Sequence, residues 1–388
     1  MYDDRPPMAI LVEDLIERIL DHAHYIDSRI LHNCSLVCRP FLFLARKRLF
    51  RDVNIFIIPD LPGEGTTEAQ LATSHLEFIA SNDYVASIIR RLCFHYTDQQ
   101  NADHPMTWAA TIAALSRLYP KLHSIRHIFV HSSLLADWFR LNDSLTQTII
   151  RICHIPTVDC VELFYVGLSF TDLMSFLRVR KLVLVGVYLI YDVGLSMIFP
   201  TESRELSTLV DLSVTLRNVA SAEPIYFMAQ AAGRSLRSLE WLASPHHTRS
   251  DTRLSVIDLN TFSSLVSLRV WVPISDTAVV LALGDLLARA NATVIETVTL
   301  LCGYHHLHDM QPSTVSAWHA VDSALTDIGV YSKLKAIELC VKEPSFTKQY
   351  TQIPRSEANI NEASAIFRSL LPLSAIRGLL QPSPLSHH

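Results

Sequence analysis

The sequence predicts an α/β protein in which a helical N-terminal module is followed by a curved solenoid with parallel strands. Up to Arg51, apolar residues recur at helical spacing, and directly after it they alternate as in a strand. From there a short apolar pattern returns at near-regular intervals, with helix-like stretches between the copies. We assign residues 8–51 to the helical module, residues 52–380 to the solenoid and residues 381–388 to a disordered tail.

The composition favours a folded chain without a nucleic-acid partner. The 388 residues exceed one ordinary globular core, and 49% of them are hydrophobic. The net charge of -5 is mild, with no long charged run, so phosphate-rich partners such as DNA gain no support from it. Only 10 residues are glycine, which disfavours glycine-rich phosphate loops.

The cysteines and the N-terminus indicate a reducing compartment. Seven scattered cysteines form no CxxC pair, so neither a disulfide framework nor a zinc site is expected. The first eight residues carry acids where a secretory signal needs a basic flank. The most apolar stretch, Leu182 to Phe199, is interrupted by Asp192 and falls short of a membrane span. We therefore expect a cytoplasmic or nuclear protein that does not engage a membrane.

The N-terminal module is predicted to contain three short helices. Asp14 caps the first of them through its side-chain oxygen, and Pro40 fits the first turn of the third. Each helix has a set of apolar residues at helical spacing, and the last set forms the inner side of the third helix: Leu15, Ile16, Ile19 and Leu20, then Ile30, Leu31, Cys34, Val37 and Cys38, then Phe41, Leu44, Ala45, Leu49 and Phe50.

The order of short motifs in this module resembles the F-box, especially as found in expanded fungal families. The motifs are LxxDL from Leu11 to Leu15, IxxIL from Ile16 to Leu20, CSLVCR from Cys34 to Arg39, and ARxxLF from Ala45 to Phe50. Val12 stands where the family usually has Pro, and Phe41 where it usually has Trp.

The resemblance implies docking on the Skp adaptor of cullin-based SCF ubiquitin ligases. The residues divided between the core of the module and the groove of that adaptor would be Leu11, Leu15, Ile16, Ile19, Leu36, Val37, Phe41 and Leu49. The sequence does not say which residue serves which purpose. A plain helical cap, with all eight in its core, is the alternative.

After the strand marked by Val53, Ile55 and Ile57, one apolar pattern recurs nine times. Each copy has an apolar residue, then another three positions on and a third two positions after that. The copies begin at Ile89, Ile125, Val158, Val179, Leu209, Leu236, Leu265, Ile295 and Leu334. Stretches with helical spacing lie between them: Glu68 to Ile79, Trp108 to Leu118, Leu145 to Cys153, Ile225 to Ala232, Thr277 to Ala290, Val315 to Ile328 and, last, Glu362 to Leu371.

This alternation resembles an irregular leucine-rich-repeat solenoid, in which stacked units cover one another's apolar faces. The Asn or Cys that ties the turns of that family together has no consistent counterpart here. A doubly wound parallel sheet is the rival architecture.

In such a solenoid, the residues beside the inward apolar pair face the concave surface. The side chains that we expect to meet a protein target there are Arg91, His95, His127, Phe129, His131, Glu162, Lys181, Arg269 and Trp271. Phe129 and Trp271 are the aromatic anchors among them. An ordinary solvated sheet face is the alternative.

No catalytic motif is present in the sequence. GxSxG, HExxH, GxGxxG and GK[ST] phosphate loops are all absent. The group Tyr304, His305, His306 and His308 could present two imidazoles at i and i+2 of a strand. It has no nearby carboxylate or Cys set with ligand spacing and is interpreted as a polar loop. We expect no catalytic residue, metal or cofactor, and interpret the chain as a substrate receptor of an SCF-type ligase. The first alternative is a scaffold protein not coupled to ubiquitination. The second, less favoured, is an enzyme on an α/β sheet.

Overall fold

The protein is a mixed α/β chain with many helices and a large parallel sheet, as seen in a computed structural model. The structure describes residues 15–20, 22, 28–37, 39–57, 67–96, 108–133, 138, 141, 143–190, 207–216, 219–243, 254–291, 293–303, 311–342 and 365–382. The chain divides into two compact units, Met1–Val161 and Glu162–His388.

Three helical segments open the first unit. They are α1 at residues 15–20, α2 at Ser28–Ser35 and α3 at Arg39–Leu49. Leu20, Leu31 and Leu44, one from each segment, form a common buried cluster. The helical spacing of apolar residues in each segment therefore converges on a single small core.

The rest of the first unit alternates strands and helices. Its elements are β1 (Asp52–Ile57), α4 (Thr67–Ser81), α5 (Asp83–Ile88), β2 (Arg91–Tyr96), α6 (Ala109–Leu118), β3 (His127–Ser132) and α7 (Asp143–Cys153). Strands β1, β2 and β3 are neighbours and parallel. Helix α4 packs against α6, and α6 against α7. Strand β4 (Cys160–Phe164) spans the division between the units.

The second unit continues the alternation. Its elements are β5 (Gly167–Ser169), α8 (Phe170–Ser175), β6 (Lys181–Val185), β7 (Tyr188–Ile190), β8 (Asp211–Leu216), α9 (Ala222–Ala231), β9 (Ser238–Ala243), β10 (Ser267–Trp271), α10 (Thr277–Ala288), β11 (Thr297–Gly303), α11 (Pro312–Leu325), β12 (Ala336–Lys342), α12 (residues 365–370), α13 (Pro372–Ile376) and β13 (Leu380–Pro382). Strands β6 and β8 to β13 pair in chain order, all parallel, while β5 and β7 form a separate parallel pair.

One main-chain arrangement repeats at the start of the strands. The carbonyl of the residue before a strand accepts two successive N–H groups from the beginning of the next strand. Arg51 O accepts from Arg90 N at 2.8 Å and Arg91 N at 3.0 Å, and Arg237 O accepts from Val266 N and Ser267 N at 2.8 and 2.9 Å. The same pair of bonds is made by Arg90, Arg126, Arg180, Val210, Val266 and Glu296. Main-chain hydrogen bonds thus join neighbouring strands at their starts.

The nine copies of the apolar pattern correspond to β2, β3, β4, β6 and β8 to β12, so these strand predictions are confirmed. Their apolar residues point to the buried side of the sheet; Leu209, Leu212 and Val214 of one copy are at most 1% exposed. Strands β5, β7 and β13 were not predicted. Strand β13 includes Gln381 and Pro382, so the predicted tail begins two residues too early, and its remainder, 383–388, lies outside the described residues. The group at Tyr304 to His308 also lies outside them.

None of the helices in the described ranges is long and apolar enough to span a membrane.

Candidate functional site

The N-terminal helices present large apolar side chains to solvent. Leu15 is 58% exposed, Ile19 49%, Leu36 83% and Val37 70%. We call these four residues the module surface. Exposed apolar groups of this size on a small helical unit are typical of a docking surface.

Local geometry explains why these residues face outward. Leu15 and Ile19 are four residues apart on α1 and share one helix face, whereas Leu20 on the next face is fully buried. Leu36 and Val37 lie in the turn that follows α2, where their amides donate to Asn33 O at 3.1 Å and Cys34 O at 3.2 Å. The turn therefore holds two apolar side chains away from the core.

The eight residues assigned to adaptor binding fall into three groups. Ile16, Phe41 and Leu49 pack against the buried cluster of the three helices. The four residues of the module surface are exposed, and Leu11 lies outside the described residues. Ile30, 36% exposed, and Phe43, 52% exposed, are further outward apolar residues that were not assigned.

The second candidate surface is the side of β1, β2 and β3 opposite their buried apolar residues. Parallel register arranges its side chains in three rows, which are Asp52–Arg91–His127, Asn54–Cys93–Phe129 and Phe56–His95–His131. We call it the first-unit face. Arg91, His95, His127, Phe129 and His131 were all predicted to share this face, and the register brings them together.

Aromatic and imidazole rings form a connected cluster on the first-unit face. His95 stacks on Phe56 with ring centroids 5.3 Å apart, and lies 5.6 Å from Phe129 and 6.1 Å from His131. Phe129 and His131 are nearly parallel, with centroids 6.2 Å apart. The side chains of His95 and Asn54 are hydrogen-bonded, with Nε2 and Oδ1 3.2 Å apart. The cluster is a partly buried aromatic platform of the kind that anchors peptide side chains.

The surroundings of His95 and His131 disfavour the charged form of both imidazoles. Partial burial lowers the pKa of His95 below its usual value, and the nearby charges of His131 and Arg91 lower it further. Partial burial also lowers the pKa of His131. Neutral imidazoles present an apolar ring together with one donor and one acceptor nitrogen, which suits an uncharged or anionic partner group.

The third candidate surface is the corresponding side of the sheet in the second unit, which we call the second-unit face. Its middle row runs Ser213–Glu240–Arg269–Thr299 across neighbouring strands. Ser213 Oγ donates to Glu240 Oε2 at 2.9 Å, and Arg269 Nη1 lies 3.8 Å from Glu240 Oε1. Polar groups that already bind one another in this way leave less capacity for a partner.

The other residues predicted for the second unit are placed less closely together. Lys181 is exposed on β6, and Glu162 is half-buried on β4. Trp271 is half-buried beside Leu301 of the neighbouring strand, so it is available as an anchor only in part.

Two neighbours of the predicted site residues are buried, although sequence position placed them on the open side. Cys93 is only 7% exposed, in the row between Asn54 and Phe129. Thr299 is 2% exposed and donates to Glu338 Oε2 at 3.1 Å. Cross-strand neighbours cover short side chains on a sheet, which the sequence pattern alone does not show.

Sequence reasoning missed Phe56 and Asn54. Their strand β1 had been recognised from the alternation of Val53, Ile55 and Ile57, which already directs the residues between them to the opposite side. Extending the face to β1 would have added both residues.

Comparison with known proteins returned no match, either to a protein-family model or to a curated protein.

Proposed function

We propose that this chain is the substrate-recognition subunit of an SCF-type ubiquitin ligase. In this proposal the N-terminal helices are an F-box that docks on a Skp-type adaptor, and through it on a cullin core. The strand–helix units form an irregular leucine-rich-repeat solenoid that holds a protein target. The observation that carries the proposal is the exposure of the module surface in a unit that also bears the ordered F-box motifs.

The division of apolar side chains supports adaptor docking. A helical unit of about 40 residues buries too little surface to be stable without packing on something else. Leu20, Leu31 and Leu44 supply its core, yet four residues of comparable size stay outside that core. Burying a leucine or valine side chain in a partner groove contributes about 1.5–3 kcal/mol, so four of them supply a substantial part of an interface.

The solenoid part of the proposal draws on the repeated strand starts. Parallel strands that follow chain order, joined at eight strand starts by the same pair of main-chain bonds, suit stacked units better than a doubly wound sheet, in which strand order reverses. The first-unit face, with its ring cluster, is the best candidate for target binding. The chain would then hold its target close to the transferring enzyme, and the chemistry would belong to other subunits.

The test is co-expression of the full chain with a Skp-type adaptor, followed by size-exclusion chromatography and calorimetry. We expect a one-to-one complex that is abolished by Leu15→Asp with Ile19→Asp. Ile376→Asp is the matched control, because Ile376 is 84% exposed and lies in the second unit. A folded parent chain that forms no complex, or a folded double variant that still binds, would refute the adaptor assignment and favour a scaffold protein.

A further inference from the structure

A cleft of about 390 Å³ in the first unit gathers four basic side chains from separate parts of the chain. Lys47 and Arg48 come from α3, Arg51 from the residue before β1, and Arg90 from the residue before β2. Glu17 is the acidic residue in the wall, and Ser87 and Ser124 add hydroxyl groups. The size is within the range of small-ligand sites, which is about 300–1,000 Å³.

The fold fixes the main-chain positions of Arg51 and Arg90 and the side chain of Arg48. Arg51 O accepts from Arg90 N and Arg91 N, so Arg51 and Arg90 occupy equivalent positions on neighbouring strands, which lie about 4.8 Å apart. Arg48 is 9% exposed and donates from Nη2 to Glu17 O at 2.9 Å and from Nη1 to Leu44 O at 3.4 Å. One guanidinium group, that of Arg48, is therefore held in place, and the other two start from fixed neighbouring positions.

The charge of the cleft is not balanced by its own wall. Glu17 lies 3.8 Å from Lys47, and among the described residues the wall holds no second acidic side chain to face Arg51 and Arg90. At equivalent strand starts, charged side chains do pair: Arg126 with Asp159 at 3.2 Å and Lys335 with Glu296 at 2.7 Å. Among the described residues, the side chains of Arg51 and Arg90 have no such partner. Like charges this close repel, and a bound anion relieves the repulsion.

We propose that this cleft is a binding site for a phosphate group. Guanidinium groups bind phosphate through paired, charge-assisted hydrogen bonds, and a concave basic wall concentrates the field. Among the described residues, Ile88 is the only one with an apolar side chain in the wall, which disfavours a hydrophobic ligand. The site does not rest on the proposed function, since it shares no residue with the module surface.

The test is calorimetric titration of the full chain at constant ionic strength, with inorganic phosphate in one arm and O-phosphoserine in the other. Saturable binding is expected in at least one arm. Tighter binding of inorganic phosphate would indicate that the ligand is a free ion. Tighter binding of O-phosphoserine would indicate that the ligand is a phosphorylated side chain.

The decisive variant is Arg51→Gln with Arg90→Gln, which keeps the main-chain bonds and removes both free guanidinium groups. We expect affinity to fall more than about tenfold, because two charge-assisted bonds are lost. Arg234→Gln with Arg237→Gln is the control for net charge. Arg237 precedes β9 as Arg90 precedes β2, and both control arginines are exposed outside the cleft. Control affinity is expected to equal that of the parent.

Two results would overturn the site. One is the absence of saturable binding in both arms by a folded parent chain. The other is equal affinity in parent and cleft variant. If the cleft variant does not fold, Arg51→Lys with Arg90→Lys replaces it; this change keeps the charge but removes the forked donors and is expected to weaken binding by a smaller factor. Unaltered affinity in that variant would likewise refute the arginine site. Leu15→Asp with Ile19→Asp is expected to bind phosphate normally, which separates this site from adaptor docking.

Discussion

His95 stacks on Phe56 across two parallel strands, with ring centroids 5.3 Å apart and ring planes 24° from parallel. The register of β1 and β2 places the two residues directly opposite one another, and the next step of the same register adds His131. A ring cluster on the open side of a sheet thus follows from three strands keeping one register.

Stability is expected to fall as the pH drops through the range in which these histidines titrate. The pKa of His95 and that of His131 are below the usual 6.5 in the folded chain, so the unfolded chain binds more protons there. The stability that the two neutral histidines contribute is present in full above the unfolded pKa of about 6.5. It is lost as the pH falls from there through the lowered folded pKa. Melting temperatures measured between about pH 7.5 and pH 5.5 check this, since most carboxylates titrate at lower pH.

His95→Phe should reduce that pH dependence, because a phenyl ring keeps the stack and cannot take up a proton. The exposed His123 supplies the control variant His123→Gln, which is expected to retain the full dependence. If both variants track the parent chain across the range, the histidine cluster is not the source of the pH dependence.

A pair of glycine replacements should change stability in opposite directions. A Cβ on Gly233 would lie 2.3 Å from Thr261 O, a main-chain atom that cannot turn aside. Gly233→Ala is therefore expected to destabilise the second unit by about 1–3 kcal/mol. A Cβ on Gly284, inside α10, meets Val321 Cγ2 at 3.7 Å, an ordinary contact. Gly284→Ala is expected to stabilise by about 0.5–1 kcal/mol, because alanine favours helix.

Urea unfolding of the two glycine variants, followed by circular dichroism, measures both changes. A destabilised Gly284→Ala would show that α10 cannot accept even an ordinary contact with Val321. If the stability of Gly233→Ala equals that of the parent chain, the main chain near Thr261 can shift at little cost in free energy.

Alkylation of cysteines should follow burial. Cys153 on α7 is 1% exposed, and burial raises the pKa of its thiol to about 12, so little thiolate forms near neutral pH. Cys34 on α2 is only partly buried. Iodoacetamide at about pH 8 is expected to modify Cys34 in the native chain well before Cys153. Peptide mass spectrometry reads out both sites, and denatured chain, in which the two should react alike, is the control. Equal rates of alkylation of Cys34 and Cys153 in the native chain would contradict the close packing around α7.

The strands could be predicted from sequence because their signal is local. In each copy of the pattern, the last two apolar residues are separated by one position and share a side of the strand, as Leu212 and Val214 do in β8. Strands β5 and β7 were missed because they are three residues long, too short for alternation to be seen.

The sites depended on information that is not local. Leu15 and Ile16 are adjacent apolar residues, and only the position of α2 and α3 decides that Ile16 packs inward while Leu15 is exposed. The Phe56–His95 stack and the pairing of Arg51 with the start of β2 need the register between β1 and β2. The basic cleft likewise joins residues that no single sequence motif contains.

The buried carboxylate of Asp322 on α11 should be one of the most sensitive positions of the second unit. Asp322 is 1% exposed and accepts three hydrogen bonds: Leu373 N at 2.6 Å, Ser374 N at 2.9 Å and Ser374 Oγ at 2.5 Å. It thereby caps the start of α13, which leads into β13. Asp322→Ala would leave two buried donors and one partly buried donor without this acceptor, and is expected to destabilise by about 3 kcal/mol.

Ser374→Ala is the matched comparison, since it removes one of the three bonds and leaves both amides capped; a loss of about 1 kcal/mol is expected. Hydrogen exchange at residues 372–382 should accelerate strongly in Asp322→Ala and only slightly in Ser374→Ala, because the carboxylate ties this segment to α11. Equal exchange in the two variants would show that the apolar contacts of the segment, such as buried Leu371 and Leu379, hold β13 in place without the carboxylate.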